Sequence, residues 1–338
     1  GLEVTADGYD AGASFGGDLN IAVIVDEYSE PYTVPVPVEV YGSNVTVNVS
    51  AGNTTEDRTG DSSAIVGVDR LTGDAETVTV NLSSGLNTLT DGTSNNYAAV
   101  SINAEDDDDL MPNLTSIDAN GNGIAVVQNE DGSKLASTDA SGINSALLSG
   151  GTLTGTDLGL VIGDAELLGV ATDIYASGDS TYEAGEQGLG LIYESTHTDL
   201  AETVTLSAGV DIVQLTGAST FKNMDTINGL SLETEGGSLT NQSDLLLVEP
   251  VGTGADPYAK LTPEEIADFN SKANTLEEYL VEVAKLIVDD VVFDYDGDTY
   301  VYNDLGEDGF NKDDGLVKLA GGVDIDAALE SLNAVVPA

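Results

Sequence analysis

Cysteine and tryptophan are absent from the sequence, and histidine occurs once, as His197. Without cysteine there is no disulfide, no thiolate metal site and no cysteine nucleophile. One histidine excludes multi-histidine zinc centres and the H-E-x-x-H device. Aromatic residues make up 5% of the chain, which leaves little for the sugar platforms that a glycosidase needs. Basic residues are scarcer still: 9 Lys and Arg stand against 60 Asp and Glu, for a formal net charge of −51. That sign argues against nucleic acid and anionic membrane surfaces as partners, both of which are recognised through Lys and Arg. No run of about 18 apolar residues occurs, so the sequence offers no transmembrane segment. It starts at Gly1 rather than Met, which is the start of a processed chain or of a fragment.

What is present is acid, glycine and short apolar segments. The 338 residues are enough for two or three domains. A net charge of this size repels itself in any compact state unless cations screen or bridge it. The chain is therefore expected to work in salty water, with bound divalent ions, or both; divalent cations are the expected small partners, and the carboxylate clusters below make calcium the expected cofactor.

The expected fold class is mainly β. Residues 1–104 carry "LNIAVIVDEY", "YTVPVPVEVY", "NVTVNVS", "AIVGV", "ETVTVNL" and "YAAVSIN", several alternating apolar with polar as half-buried strands do. Six such strands predict an N-terminal β-sandwich. Pro35 and Pro37 lack N–H donors and predict an edge strand. "AEDDDDLMPN" (104–113) marks a boundary. Residues 105–250 predict a β-rich region, a solenoid or a second sandwich, without a strict period. Residues 251–338 predict a small α/β module of two helices and a hairpin. Thr262-Pro263 with Glu265, and Thr275 with Glu278, are helix-starting capping boxes. In the second helix Leu276, Leu280, Val283 and Ile287 share one face.

"FDYDGDTYVYN" (293–303) places Asp296-Gly297 between two apolar and aromatic arms, the preferred pair for a type I′ hairpin turn. It is not an EF-hand: the twelfth place from Asp294 is Leu305, not Glu. A calcium site of another kind is expected from the carboxylates crowding this hairpin and the loop after it, Asp294, Asp298, Asp304, Asp313 and Asp314, with Asp308 nearby. A second candidate is "DANGNG" (118–123), the first half of a D-x-N-x-N-G calcium loop. Asp118, Asn120 and Asn122 present oxygens there, and a loop one residue longer than standard closes on Glu130.

The final segment, with its helical pair, "GDTYVYND", a variable loop and "DDGLVKLAGGVDI", resembles the C-terminal region of large bacterial proteins exported by type I secretion. It is most similar to surface-layer proteins and related RTX-type proteins. The resemblance covers about 255–338, and "VDIVQLTGASTFKNMDTING" (210–229) resembles the turns that precede such ends. It implies an extracellular or cell-surface location, calcium-dependent folding or assembly, and an uncleaved C-terminal secretion signal. The calcium-binding nonapeptide GGxGxDxUx of that family does not occur here.

No catalytic set accompanies these features. "GASFG" (12–16) fits G-x-S-x-G but is followed by a strand pattern where the nucleophile elbow needs a helix, and nothing in the sequence around His197 positions it for a triad, which makes it a loop histidine. The sequence therefore predicts a non-enzymatic, secreted structural protein. It would be the subunit of a self-assembling surface layer, sheath or filament, with copies of itself as main partner. The alternative is a calcium-dependent secreted adhesin or matrix-binding protein with a cell-surface glycan as partner.

Overall fold

The computed structural model describes residues 11–12, 18–23, 32–35, 38–40, 42–51, 64–86, 95–105, 111–144, 152–154, 181–183, 189–197, 199–216, 219–235, 238–239, 243–249, 258–286, 290–304 and 309–333. Most of "GASFG", the acidic run 106–109, residues 36–37, Ile287 and Asp308 lie outside them. The protein is mainly β, with a small C-terminal helical part. In chain order its main strands are β1 (Asp18–Val23), β2 (Val38–Val40), β3 (Asn44–Ala51), β4 (Ala64–Gly73), β5 (Thr77–Ser83), β6 (Asn95–Ala104), β7 (Ser116–Asn122), β8 (Ile124–Asn129) and β9 (Ser137–Ile143). Then come β10 (Leu189–Ser195), β11 (Thr203–Thr205), β12 (Val210–Thr216), β13 (Asp225–Asn228), β14 (Leu245–Glu249), β15 (Asp290–Tyr295), β16 (Asp298–Asn303) and β17 (Gly315–Ala320). The helices are α1 (Pro263–Lys272), α2 (Leu276–Val283) and α3 (Ile325–Asn333). The chain divides into two compact units, Gly1–Glu194 with Thr205–Val213, and Ser195–Val204 with Gln214–Ala338.

In the first unit odd and even strands go to different sheets. One sheet runs β1-β3-β5-β7-β9 and the other β2-β4-β6-β8-β10. The odd-numbered pairs are all parallel, as are β2/β4, β4/β6 and β6/β8. Parallel neighbours need a crossover of a dozen or more residues; here the intervening strand of the opposite sheet supplies it. Two facing sheets are what a sandwich requires, and their winding is that of a solenoid. β5 pairs with β7, and β6 with β8, so both sheets continue from the residues before 105 to those after it. The winding offset changes from 28 (Asp18↔Thr46) to 33 (Asn44↔Thr77), 39 (Thr77↔Ser116) and 21 (Ser116↔Ser137) residues.

Alternation drives this packing. In β3, Val45, Val47 and Val49 are buried and their neighbours are not; in β5, Val78, Val80 and Leu82 repeat the pattern. Each such side chain contributes about 1.5–3 kcal/mol relative to exposure. Gly73 (φ +121°) and Gly121 (φ +98°) sit where the backbone of the neighbouring coil comes close. A Cβ there would lie 1.9 Å from the Val40 carbonyl oxygen and 2.1 Å from that of Leu82. Among the described residues, 32–35, with Pro35, pair with β4 alone, as an edge strand does, whereas 38–40 pair with β4 on one side and with Ala11 and Gly12 on the other; Pro37 lies outside the described residues.

The second unit holds β13, β17, β16 and β15 side by side, with Ala259–Lys260 parallel to β15. β15 and β16 form the expected hairpin. Its two-residue turn has Asp296 at φ 51° and Gly297 at φ 89°, the positive values that type I′ demands. Phe269 from α1 and Tyr279, Leu280 and Val283 from α2 pack on Phe293, Tyr300, Tyr302 and Leu316 of the sheet. Thr262 and Glu265 close the expected capping box. At α2 the device differs: Thr275 caps Glu278, but Glu278 reaches back to the Asn274 amide at 2.7 Å. α3 is fixed to β14 through Ser331 Oγ, which accepts from the Leu246 amide at 2.8 Å and donates to its carbonyl at 3.1 Å.

Candidate functional site

Three of the acids around the hairpin, Asp294, Asp298 and Asp314, are tied individually to protein partners. Asp294 accepts from Thr299 Oγ1 at 2.6 Å. Asp298 accepts from the Gly321 amide at 2.9 Å and pairs with Lys318 at 2.7 Å. The bond from Lys318, then that from Gly321, lowers the Asp298 pKa. Asp294 is the register partner of Thr299 and Asp298 that of Tyr295, so the two carboxylates leave opposite faces of the hairpin. Asp314 is buried and accepts from Tyr302 Oη at 2.8 Å, the Asn311 amide at 2.8 Å and Asn311 Nδ2 at 2.6 Å. It holds the 311–315 turn closed. Asp313 is exposed, and Asp304 half-buried at the end of β16.

"DANGNG" takes a different form from the loop its spelling suggests. Residues 116–122 are β7, paired on both sides. Ile117 and Ala119 point inward, which turns Asp118 and Asn120 outward. Asn120 Nδ2 donates to Asp118 Oδ1 at 2.9 Å. Asn122 ends the strand, its carbonyl accepting from the Ser84 amide and hydroxyl. Glu130 follows β8, in the other sheet, where its amide donates to the Ala104 carbonyl. Extended backbone thus spreads these oxygens along and between strands rather than gathering them. Among the described residues no three acidic or histidine side chains are grouped to hold a metal ion.

What the fold does assemble is a set of outward rows on the β1-β3-β5-β7-β9 sheet. Asn44, Thr77, Ser116 and Ser137 are in register, as are Thr46, Thr79, Asp118 and Asp139. Asn48, Asn81 and Asn120 form an asparagine row across three strands, and Asn20 is the register partner of Asn48. Asn81 Nδ2 donates to Asn48 Oδ1 at 2.8 Å, and Thr77 Oγ1 to Asn44 Oδ1 at 2.6 Å, the amide laddering that in-register parallel strands allow. The rows repeat every ~4.8 Å across strands and roughly 6.6 Å along them. On β3 and β5 the outward positions 44, 46, 48, 50, 77, 79, 81 and 83 carry no charge.

Sequence reasoning also passed over a set of buried acids. Asp211 of β12 accepts from the Leu191 amide at 2.6 Å, the Ser207 amide at 2.8 Å and Ser207 Oγ at 2.6 Å. Burial pushes its pKa up to about 6, with the Ser207 and Leu191 bonds opposing. Glu202 and Asp225 are buried in the second unit. The available signal was an acid in an inward position of an apolar run, as in "VDIVQL". His197 lies in the loop after β10 and is buried there: Nδ1 accepts from the Asp199 amide at 3.2 Å.

Comparison with protein-family models, with curated proteins and with solved structures gives no match for this chain.

Proposed function

We propose that this chain is a non-enzymatic extracellular structural protein, the subunit of a self-assembling surface layer, sheath or filament, with divalent cations, calcium foremost, bridging carboxylates of neighbouring copies. The observation that carries this reading is the uncharged, in-register face of β3 and β5. In a chain of net charge −51 it is a surface that two copies can bring together without stacking like charges. Its regular spacing matches that of the same face on another copy. Next to it Asp118 and Asp139 are register partners, and like charges directly opposite are destabilising. A cation between copies needs only part of its oxygens from each, which suits acids that are not grouped in threes among the described residues. Export through the C-terminal module, 251–338, belongs to the same reading and rests on the resemblance of that segment.

The rows of hydroxyls and amides also favour a second reading, a calcium-dependent adhesin or matrix-binding protein whose polar face takes a cell-surface glycan. Ser83→Glu with Ser137→Glu separates the two. Both serines are exposed on the outward face, so the fold should persist by circular dichroism. Large particles seen by light scattering for the unmodified chain should disappear in the double variant. Particles of unchanged size would place the contact elsewhere. A chain that is monomeric in either form yet retained on a glycan column would favour the adhesin.

A further inference from the structure

Tyr279 of α2 and Tyr295 at the end of β15 lie ring against ring, with centroids 5.1 Å apart and planes tilted by 56°. The other two rings against Tyr279 belong to phenylalanines: Phe269, edge-on at 5.6 Å, and Phe293, stacked at 5.2 Å. Tyr279 is wholly buried, whereas Tyr295 is half-buried beside the Asp296-Gly297 turn. The pair therefore leads from the surface at the hairpin into the aromatic core.

Packing does not account for the Tyr279 hydroxyl. Oη is buried and has no hydrogen-bond partner among the described residues. A buried phenol ordinarily finds one, and an unpaired buried hydroxyl costs its desolvation. Phenylalanine would fill the same space without that cost. What phenylalanine lacks is one-electron chemistry: a phenol gives up an electron and its O–H proton far more readily than a benzene ring does. The chain has neither cysteine nor tryptophan. Tyrosine is therefore the side chain from which a one-electron oxidant draws, and no disulfide can staple the fold.

We propose that Tyr279 and Tyr295 are an oxidative cross-linking site, at which peroxide activated by a haem peroxidase joins the two rings and staples α2 to the hairpin. Tyr295 is oxidised first, at the surface. Its radical takes an electron from Tyr279, and the oxidant then draws a second electron from Tyr295. Burial, then the charges of Asp294 and Tyr295, push the Tyr279 pKa up to about 12, so this phenol loses its proton only together with its electron. The two radicals combine through carbons ortho to the hydroxyls. One C–C bond forms, two ring C–H bonds break, and their hydrogens restore the two O–H groups. Each ring is oxidised by one electron, and one peroxide becomes two waters. The extracellular reading proposed above enters only as the source of the peroxide; a supplied oxidant tests the site whether or not the chain assembles.

The test is to treat the purified full chain with a haem peroxidase and hydrogen peroxide, isolate the monomer under denaturing conditions and digest it with trypsin. Cleavage after Lys272, Lys285 and Lys312 puts Tyr279 and Tyr295 in separate peptides, 273–285 and 286–312. The monomer should gain the blue emission of bonded tyrosines and yield these two peptides joined, lighter than their sum by two hydrogens. Tyr279→Phe and Tyr295→Phe each remove one hydroxyl and should abolish the joined pair. Tyr300→Phe alters the other ring stacked on Phe293, within the same second peptide, and should retain it. Should Tyr279→Phe not fold, Tyr295→Phe decides. The linked monomer should melt several degrees higher, because the bond closes a short loop in the unfolded chain as a disulfide does. Chain oxidised while unfolded in urea should give little of the pair. No joined pair from the folded chain, a pair that survives in Tyr295→Phe, an equal yield from unfolded chain, or a linked monomer that melts no higher would overturn the site.

Discussion

Asp211→Ala is expected to lower the melting midpoint by roughly 6–12 °C, the shift for about 3 kcal/mol in a domain of this size. Asp211 is wholly buried, and its carboxyl joins the Leu191 amide on β10 to the Ser207 amide and hydroxyl before β12. Alanine leaves all three donors without that acceptor. Solvent has little room to replace it: a Cβ on Gly190 would already lie 2.0 Å from Ser207 Oγ and 2.9 Å from Asp211 Oδ1. The loss should depend on pH. Burial raises the folded pKa to about 6, above the unfolded value, so this side chain's stabilisation is complete below about pH 4 and declines as the pH rises through 6. The variant should therefore differ most from the unmodified chain in acid and least above neutrality. Asp211→Asn, which keeps Oδ1 as an acceptor, should lose the pH dependence with a smaller drop in midpoint. A pH-independent loss, or none, contradicts this account of Asp211.

Phe293→Ala should cost about 3–5 kcal/mol, the range for emptying an aromatic site in a packed core. Phe293 is fully buried between Tyr279 and Tyr300, stacked on both with ring centroids 5.2 and 5.6 Å away. Phe269 meets Tyr279 edge-on at 5.6 Å. The ring therefore joins both helices to the hairpin. Val281, 42% exposed on α2, is the control, and its alanine variant should stay within about 0.5 kcal/mol. With no tryptophan in the chain, tyrosine fluorescence during urea unfolding follows this core directly. A loss below about 1 kcal/mol would mean that the helices are held by something else.

The parts of the fold legible in the sequence are those written locally. Thr262-Pro263 with Glu265 names a helix start, because a capping box needs only four consecutive residues. Asp296-Gly297 names a hairpin, because few other pairs accept positive φ at both positions. The alternation in "NVTVNVS" and "TVTVNL" likewise exposes which side of each strand is buried. It does not tell which way the neighbouring strand runs, since period 2 is the same in antiparallel and parallel sheets. The winding offsets of 28, 33, 39 and 21 residues leave no fixed repeat to find.

The candidate sites divide along the same line. In "SIDANGN" the spelling of a calcium loop competes with Ile117 and Ala119 at alternate positions, and burial of that pair makes a strand. In the sequence Asp314 belongs to an acidic crowd; in the structure it anchors a turn through Asn311 and Tyr302. Asp211, Glu202 and Asp225 were hidden among 60 acids; only the inward register of their strands sets them apart.

Electron microscopy of the purified, unmodified chain in millimolar calcium and in EGTA tests the central claim, that this protein is a self-assembling structural subunit stabilised by divalent cations. Ordered sheets or filaments should form with calcium and disperse when it is chelated. Single monomeric particles in both conditions, at concentrations where an assembly subunit would associate, would contradict it.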